Sequence, residues 1–368
     1  MHDRHRTIGQ LLIIGFDGTE MSPGLASLLQ RIRPAGVILF VRNITSAEQT
    51  WRLLKDCEKQ VGSPLFRCVD LEGGTVDRLR NVIGPTPAPA EVFATGDRKL
   101  FRKHGRVIGE NCRALGFNVN FAPAVDLAFD ASRPVMTSRL VSPDPRKTVF
   151  YAGEFLAGLR QAQVLGCGKH FPGLGEGKLD SHHQLPVIEK PFQKLWQQDL
   201  APYRDLRRQM PFVMVAHAAY PEVTGNRIPA SLAKKWMTEI LRRRIGYTGL
   251  IVSDDLAMGG VLAAGPIEQV AVESVRAGAD LCLVCHQEEF VTRVYQALMG
   301  EAERDSRFGI RLAEAAGKVE KVKRRLLASI RWKNPVAPGW SRIERLRRQL
   351  WEFGEQVRLE TIRQQETE

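Results

Sequence analysis

Short apolar runs recur along the chain, and each gives way to polar residues or glycine. Eight read as strands: 11–16, 36–40, 66–70, 119–122, 166–170, 212–217, 250–254 and 281–285. Between them lie stretches whose apolar positions repeat with helical spacing, including 46–61, 99–115, 146–162 and 232–244. Strand–helix alternation predicts a parallel sheet covered by helices. Eight strands predict its closed form, a (β/α)8 barrel of the TIM type. No G-x-G-x-x-G follows the first strand, which argues against an open dinucleotide-binding sheet.

The pattern changes near residue 300. Residues 301–330 read as helix, Pro335-Val-Ala-Pro338 as a breaker, and 341–353 as a basic amphipathic helix. The expected organisation is one catalytic barrel domain over 1–333 and a basic helical extension over 334–368. An α/β barrel routinely takes this length as one domain.

Polar residues gather where the apolar runs end. Asp70 closes the third run, Asp126 follows the fourth, and Lys169 and His170 close the fifth. His217 ends the sixth, Asp254 and Asp255 the seventh, and His286 follows the eighth. One such residue means little. Six strands with the same placement describe the rim where a barrel builds its active site.

Composition narrows the classes. The net charge of +12 suits anionic partners, but no zinc-finger spacing or RNP-like strand accompanies it, so nucleic acid is not expected. No stretch approaches 18 apolar residues and no signal-peptide pattern opens the chain, so no membrane is expected and a cytoplasmic protein is. The six cysteines sit in apolar surroundings, as reduced core thiols do. Cys282 and Cys285, three apart on one strand, should face opposite ways and form neither redox nor metal pair.

Two stretches carry candidate chemistry. In the first, Ser253-Asp-Asp255, adjacent acids close a strand, and either could be a nucleophile, a metal ligand or a helix cap. The second runs from Lys169-His-Phe-Pro-Gly173 to Asp180-Ser-His-His183. Its glycines, Gly173, Gly175 and Gly177, allow a loop that can move. Asp180 could hold an imidazole in one tautomer, and a histidine titrating near neutrality can give and take a proton. His182 and His183 are both candidates. The histidines lack H-x-x-x-H or H-E-x-x-H spacing, so neither metal nor cofactor is expected.

These segments resemble glycoside hydrolase family 3, in its short bacterial branch of β-N-acetylglucosaminidases. The likeness spans residues 7–290 and rests on Lys169-His-Phe-Pro-Gly173 with Asp180-Ser-His182. Val69-Asp-Leu-Glu-Gly-Gly74, Val213-Met-Val-Ala-His217 and Ser253-Asp-Asp-Leu-Ala-Met258 add to it. The resemblance implies Asp254 as nucleophile, His182 as acid/base and Asp180 as its partner. It implies sugar contacts from Asp70, Arg78, Arg139, Lys169 and His170, with Lys169 and His170 donating to hydroxyls. The implied reaction is retaining hydrolysis of terminal β-linked N-acetylglucosamine from muropeptides in cell-wall recycling; the sequence does not give the oligomeric state, with a monomer favoured. A family 3 β-glucosidase, a phosphorylase or a weakly active sugar-binding relic are the alternatives. The chain departs from the family pattern at Leu71-Glu-Gly-Gly-Thr75, at Gly173-Leu-Gly-Glu-Gly177 and at Thr137-Ser-Arg-Leu140.

Overall fold

The computed structural model describes residues 7–136, 138–177, 179–181, 183–327 and 336–367. Eight parallel strands form one sheet: β1 (Leu12–Ile14), β2 (Gly36–Leu39), β3 (Phe66–Val69), β4 (Val119–Asn120), β5 (Cys167–Phe171), β6 (Phe212–Val215), β7 (Leu250–Asp255) and β8 (Leu281–Val284). β1 pairs with both β2 and β8. At the other seam β4 meets β5 through bridges at Val119–Leu165 and Ala124–Lys169. The backbone hydrogen bonds there, Cys167 N to Ala122 O at 2.8 Å and Val125 N to Lys169 O at 2.7 Å, close the sheet into a barrel.

The strands are buried on both faces, so their residues read as unbroken apolar runs. Their two faces still differ. Alternate residues fill the interior: Phe66 and Cys68, Phe212 and Met214, Leu250 and Val252, Leu281 and Leu283 pack in one cluster. The intervening residues, such as Val69, Val213 and Ile251, pack under the helices. Cys282 goes outward and Cys285 inward, and both are free thiols.

Helices α1 (Pro23–Ile32), α2 (Ala47–Val61), α3 (Arg98–Ala114) and α4 (Pro145–Gln161) follow the first four strands or their loops. Ser22, Ser46, Asp97 and Asp144 each accept from a backbone amide of the first turn and so mark the helix starts. α5 (Lys235–Arg244), with π-type hydrogen bonds, precedes β7, and α6 (Ile267–Ala277) follows it. The single helix expected over 301–330 is instead a break between α7 (Glu288–Arg304) and α8 (Ser306–Val322). Asp305 causes the break, because its carboxylate accepts from Arg307 N and Phe308 N and starts a new helix.

The last helix, α9 (Trp340–Thr367), is twice the length that the 341–353 pattern suggested. Ile343, Leu346, Leu350, Phe353 and Val357 form one buried stripe, so the packing continues past Gly354. Phe353 stacks on His104 with ring centroids 5.6 Å apart. Burial pushes His104 down to about 3, so it stays neutral beneath the helix, with Nδ1 2.7 Å from Tyr151 Oη. No helix among the described residues is long and apolar enough to cross a membrane.

Phe353→Ala should remove a fully buried ring and destabilise the protein by about 3–5 kcal/mol. Thermal or urea unfolding would show this. A loss under about 1 kcal/mol would mean that α9 does not seal the barrel.

Candidate active site

The interior alternation continues off the strand ends and delivers the site. From Cys68 the next inward position is Asp70, from Cys167 it is Lys169, and from Val252 it is Asp254. Three apolar stacks thus end in two acids and a lysine at the C-terminal mouth. All three line one pocket of about 150 Å3, together with Arg78, Arg139, His170 and Asp180. A larger cavity, about 480 Å3, lies at the opposite end of the barrel. Its described lining is arginine, glutamine and aliphatic groups without a carboxylate or imidazole, so it lacks the pair that hydrolysis requires.

Register shifts sharpen the mouth. Between Gly168–Val213 and Phe171–Val215, β5 carries one residue more than β6. This bulge lets both Lys169 and its neighbour His170 reach the pocket. A second shift falls between β7 and β8, opposite Val252–Asp255. There the two acids part. Asp255 is buried, and its Oδ1 accepts from Ala257 N at 3.1 Å and Cys285 N at 3.0 Å. Burial, with Asp254 adding to it, holds the Asp255 carboxyl above its ordinary value. Asp254 is only half-buried, on the inward register, and Asp255 N donates to its Oδ1 at 2.9 Å.

A buried charge cluster forms the other wall. Lys169 Nζ lies 2.7 Å from Asp70 Oδ1 and 2.7 Å from Glu72 Oε1. Arg139 grips Glu72 with two parallel hydrogen bonds of 2.8 Å, from Nε and Nη2. Burial alone would raise the Glu72 carboxyl, but Arg139 and Lys169 outweigh it and hold it far below the usual carboxylate range. Burial would likewise lower Lys169, yet Asp70 and Glu72 keep its ammonium above the ordinary value. The sequence reading gave Glu72 no role. The signal was present: two residues beyond Asp70 on an extended segment, it shares that residue's face.

Asp126 is the second such anchor. Its carboxylate accepts from His170 N, from Leu174 N at 2.7 Å and from the His170 ring, with Nδ1 2.7 Å away. His170 Nε2 then faces Arg139 Nη2 at 3.3 Å. In the tautomer that gives Nδ1–H to Asp126, Nε2 accepts the arginine's N–H. The structure thus ties the His170 ring between Asp126 and Arg139 at the wall of the pocket.

The glycine-rich loop after β5 arches across to β7. Tyr220 Oη donates to Gly173 O at 2.7 Å, and Gly173, at φ +132°, turns where a side chain would strike Asp199. Farther on, Gly260 N donates to Ser181 O at 3.1 Å. These ties bring Asp180 to the same pocket as Asp254. His182 lies outside the described residues, and His183 is exposed. His217 stays away from the pocket lining, its Nε2 2.9 Å from Asp255 O.

Residues 5–324 match the glycosyl hydrolase family 3 N-terminal domain. The chain belongs to that family. A β-hexosaminidase of Bordetella avium (strain 197N) is 37% identical over 280 residues, covering 73% of this chain and 79% of the relative. One from Alkalilimnicola ehrlichii is 33% identical over 344 residues, 92% of each chain. Among solved structures, a family 3 β-N-acetylglucosaminidase from Paenibacillus sp. str. FPU-7 superposes with TM-score 0.86 at 30% identity. That match covers 95% of this chain and 68% of the other. This family 3 glycoside hydrolase therefore has its pocket where the barrel scaffold places an active site.

Glu72→Gln should leave Lys169 and Arg139 with one buried carboxylate fewer and cost about 3–5 kcal/mol at pH 7. Because the folded Glu72 titrates below its unfolded value of about 4.3, its stabilisation is full above that pH. It is lost as pH falls towards the folded value. The deficit against wild type, read by urea unfolding, should shrink below about pH 4. A deficit independent of pH would contradict the charge assignment.

Proposed function

We propose that this enzyme is a retaining β-N-acetylhexosaminidase that releases terminal β-linked N-acetylglucosamine. The observation that carries this reading is the juxtaposition, in one pocket, of inward-facing Asp254 with Asp70, Lys169 and Arg139, the two cations held from behind by buried Glu72. A sugar ring needs many fixed donors and acceptors around its hydroxyls, and a carboxylate beneath its anomeric carbon. The family's relatives named above are β-hexosaminidases.

In this reading Asp70 accepts from sugar hydroxyls. Lys169, with two of its three N–H groups held by Asp70 and Glu72, offers the third. Arg139 and Arg78 donate from the flanking loops, and His170 orients Arg139. Asp254 attacks the anomeric carbon, and the glycosidic C–O bond breaks as His182, supported by Asp180, gives its proton to the leaving oxygen. Water then adds to the glycosyl–Asp254 ester. His182 takes the water's proton, the ester bond to the sugar breaks, and Asp254 returns as a carboxylate. The substrate class is N-acetylglucosamine linked to anhydro-N-acetylmuramic acid in muropeptides, which places the enzyme in cell-wall recycling in the cytoplasm. The basic surface is compatible with carboxylate-bearing fragments.

Hydrolysis of a chromogenic β-N-acetylglucosaminide tests the assignment. Asp254→Asn should abolish measurable turnover, and His182→Ala should lower it by about 10²–10⁴-fold. Equal activity in wild type and both variants would overturn it.

A further inference from the structure

α9 packs on the barrel along one face and carries a second pattern on another. Trp340, Trp351 and Ile362 recur every eleven residues, and so do Glu344 with Glu355 and Arg347 with Arg358. Eleven residues make three helical turns with about 20° left over, so the repeat stays on one stripe. This stripe is separate from the buried one of Ile343, Leu346, Leu350, Phe353 and Val357, and it faces solvent. Trp340 is 74% exposed, Trp351 68% and Ile362 41%. Lone exposed aliphatic side chains are ordinary, but two tryptophans so exposed on one line mark a contact surface.

The charged members of the stripe are already ordered. Glu344 pairs with Arg347 at 2.9 Å, and Glu355 with Arg358 at 2.8 Å. Arg347 also donates from Nε and Nη2 to Val82 O, at 3.1 and 2.8 Å, which pins the stripe to the loop after β3. The order of these residues is self-complementary. In an antiparallel pair of identical helices with a twofold axis at Trp351, a residue n places before 351 meets the residue n places after it in the second copy. Trp351 then meets its own counterpart. Arg347, four before, meets Glu355, four after. Glu344, seven before, meets Arg358, seven after. Trp340, eleven before, meets Ile362, eleven after. Every opposed pair is apolar on apolar or cation on anion, along about 33 Å of helix.

We propose that this face of α9 binds a second copy of the chain, helix to antiparallel helix about Trp351, and so makes a homodimer. The dimer replaces the monomer that the sequence favoured. A lipid surface fits the stripe less well, because its two glutamates cancel its two arginines and leave no net charge for anionic headgroups. The tryptophans supply the apolar burial, and the charge pairs between them set direction and register. The contact is one helix wide, so it belongs to the small interfaces whose assembly depends on concentration.

Sedimentation velocity of the full chain between about 1 and 200 µM tests this. Wild type should pass from monomer to dimer within that range. Trp351→Glu should weaken association by about thirtyfold or more. The decisive arm uses two single variants. Glu344→Arg sets arginine against Arg358 twice per dimer, and Arg358→Glu sets glutamate against Glu344 twice, so each alone should weaken the dimer about tenfold. Mixed in equal amounts they should recover dimer, because the mixed pair holds arginine against glutamate at both places. A wild type that stays monomeric throughout, whether or not it binds phosphatidylglycerol vesicles, would overturn the proposal. So would a dimer indifferent to Trp351→Glu, or a mixture of the two charge variants that associates no better than either alone.

Discussion

The pocket depends on one buried interaction, the grip of Glu72 on Lys169 and Arg139. Each of these groups would be costly to bury alone, since desolvation of a single charge exceeds what ordinary packing returns. Together with Asp70 they form two anions and two cations within hydrogen-bond reach, so the cluster is neutral as a unit. Its members also come from separate parts of the chain: two from the segment after β3, one from β5 and one from the loop after β4. The cluster thus ties those loops together at the barrel mouth while presenting rigid donors and acceptors. A sugar is bound by many weak hydrogen bonds, and fixed partners reduce the ordering cost of making them.

The barrel itself was legible because its strands are short, apolar and separated by helical patterns. The site's general position was legible too, since a barrel side chain's direction follows from counting by two. Asp254 and Asp255 both line the pocket, and what separates them is that Asp255 is buried and held by the amides of Ala257 and Cys285. Between Lys169 and His170 the count fails, because a bulge spends one extra residue there and turns both towards the mouth. Such irregularities depend on pairing with a neighbouring strand and leave no local sequence mark.

Other features were hidden for related reasons. Glu72 carries no distinguishing neighbour in sequence; only the arrival of Lys169 and Arg139 makes a buried carboxylate there affordable. The fixing of His170 by Asp126 joins residues from two strands' ends and could not be read from either alone. The stacking of Phe40 on His286 at the pocket wall joins residues nearly at opposite ends of the barrel sequence, brought together only because β1 closes onto β8. The extent of α9 was masked by Gly354, which a propensity argument reads as an end but which packing overrides.

The central claim is that Asp254 forms a covalent bond to the sugar. Incubation with a slow 2-deoxy-2-fluoro glycosyl donor, followed by proteolysis and peptide mass spectrometry, tests it directly. The account predicts a single glycosyl adduct on the peptide containing Asp254, absent in Asp254→Asn. An active enzyme that gives no adduct, or an adduct on another carboxylate, would contradict it.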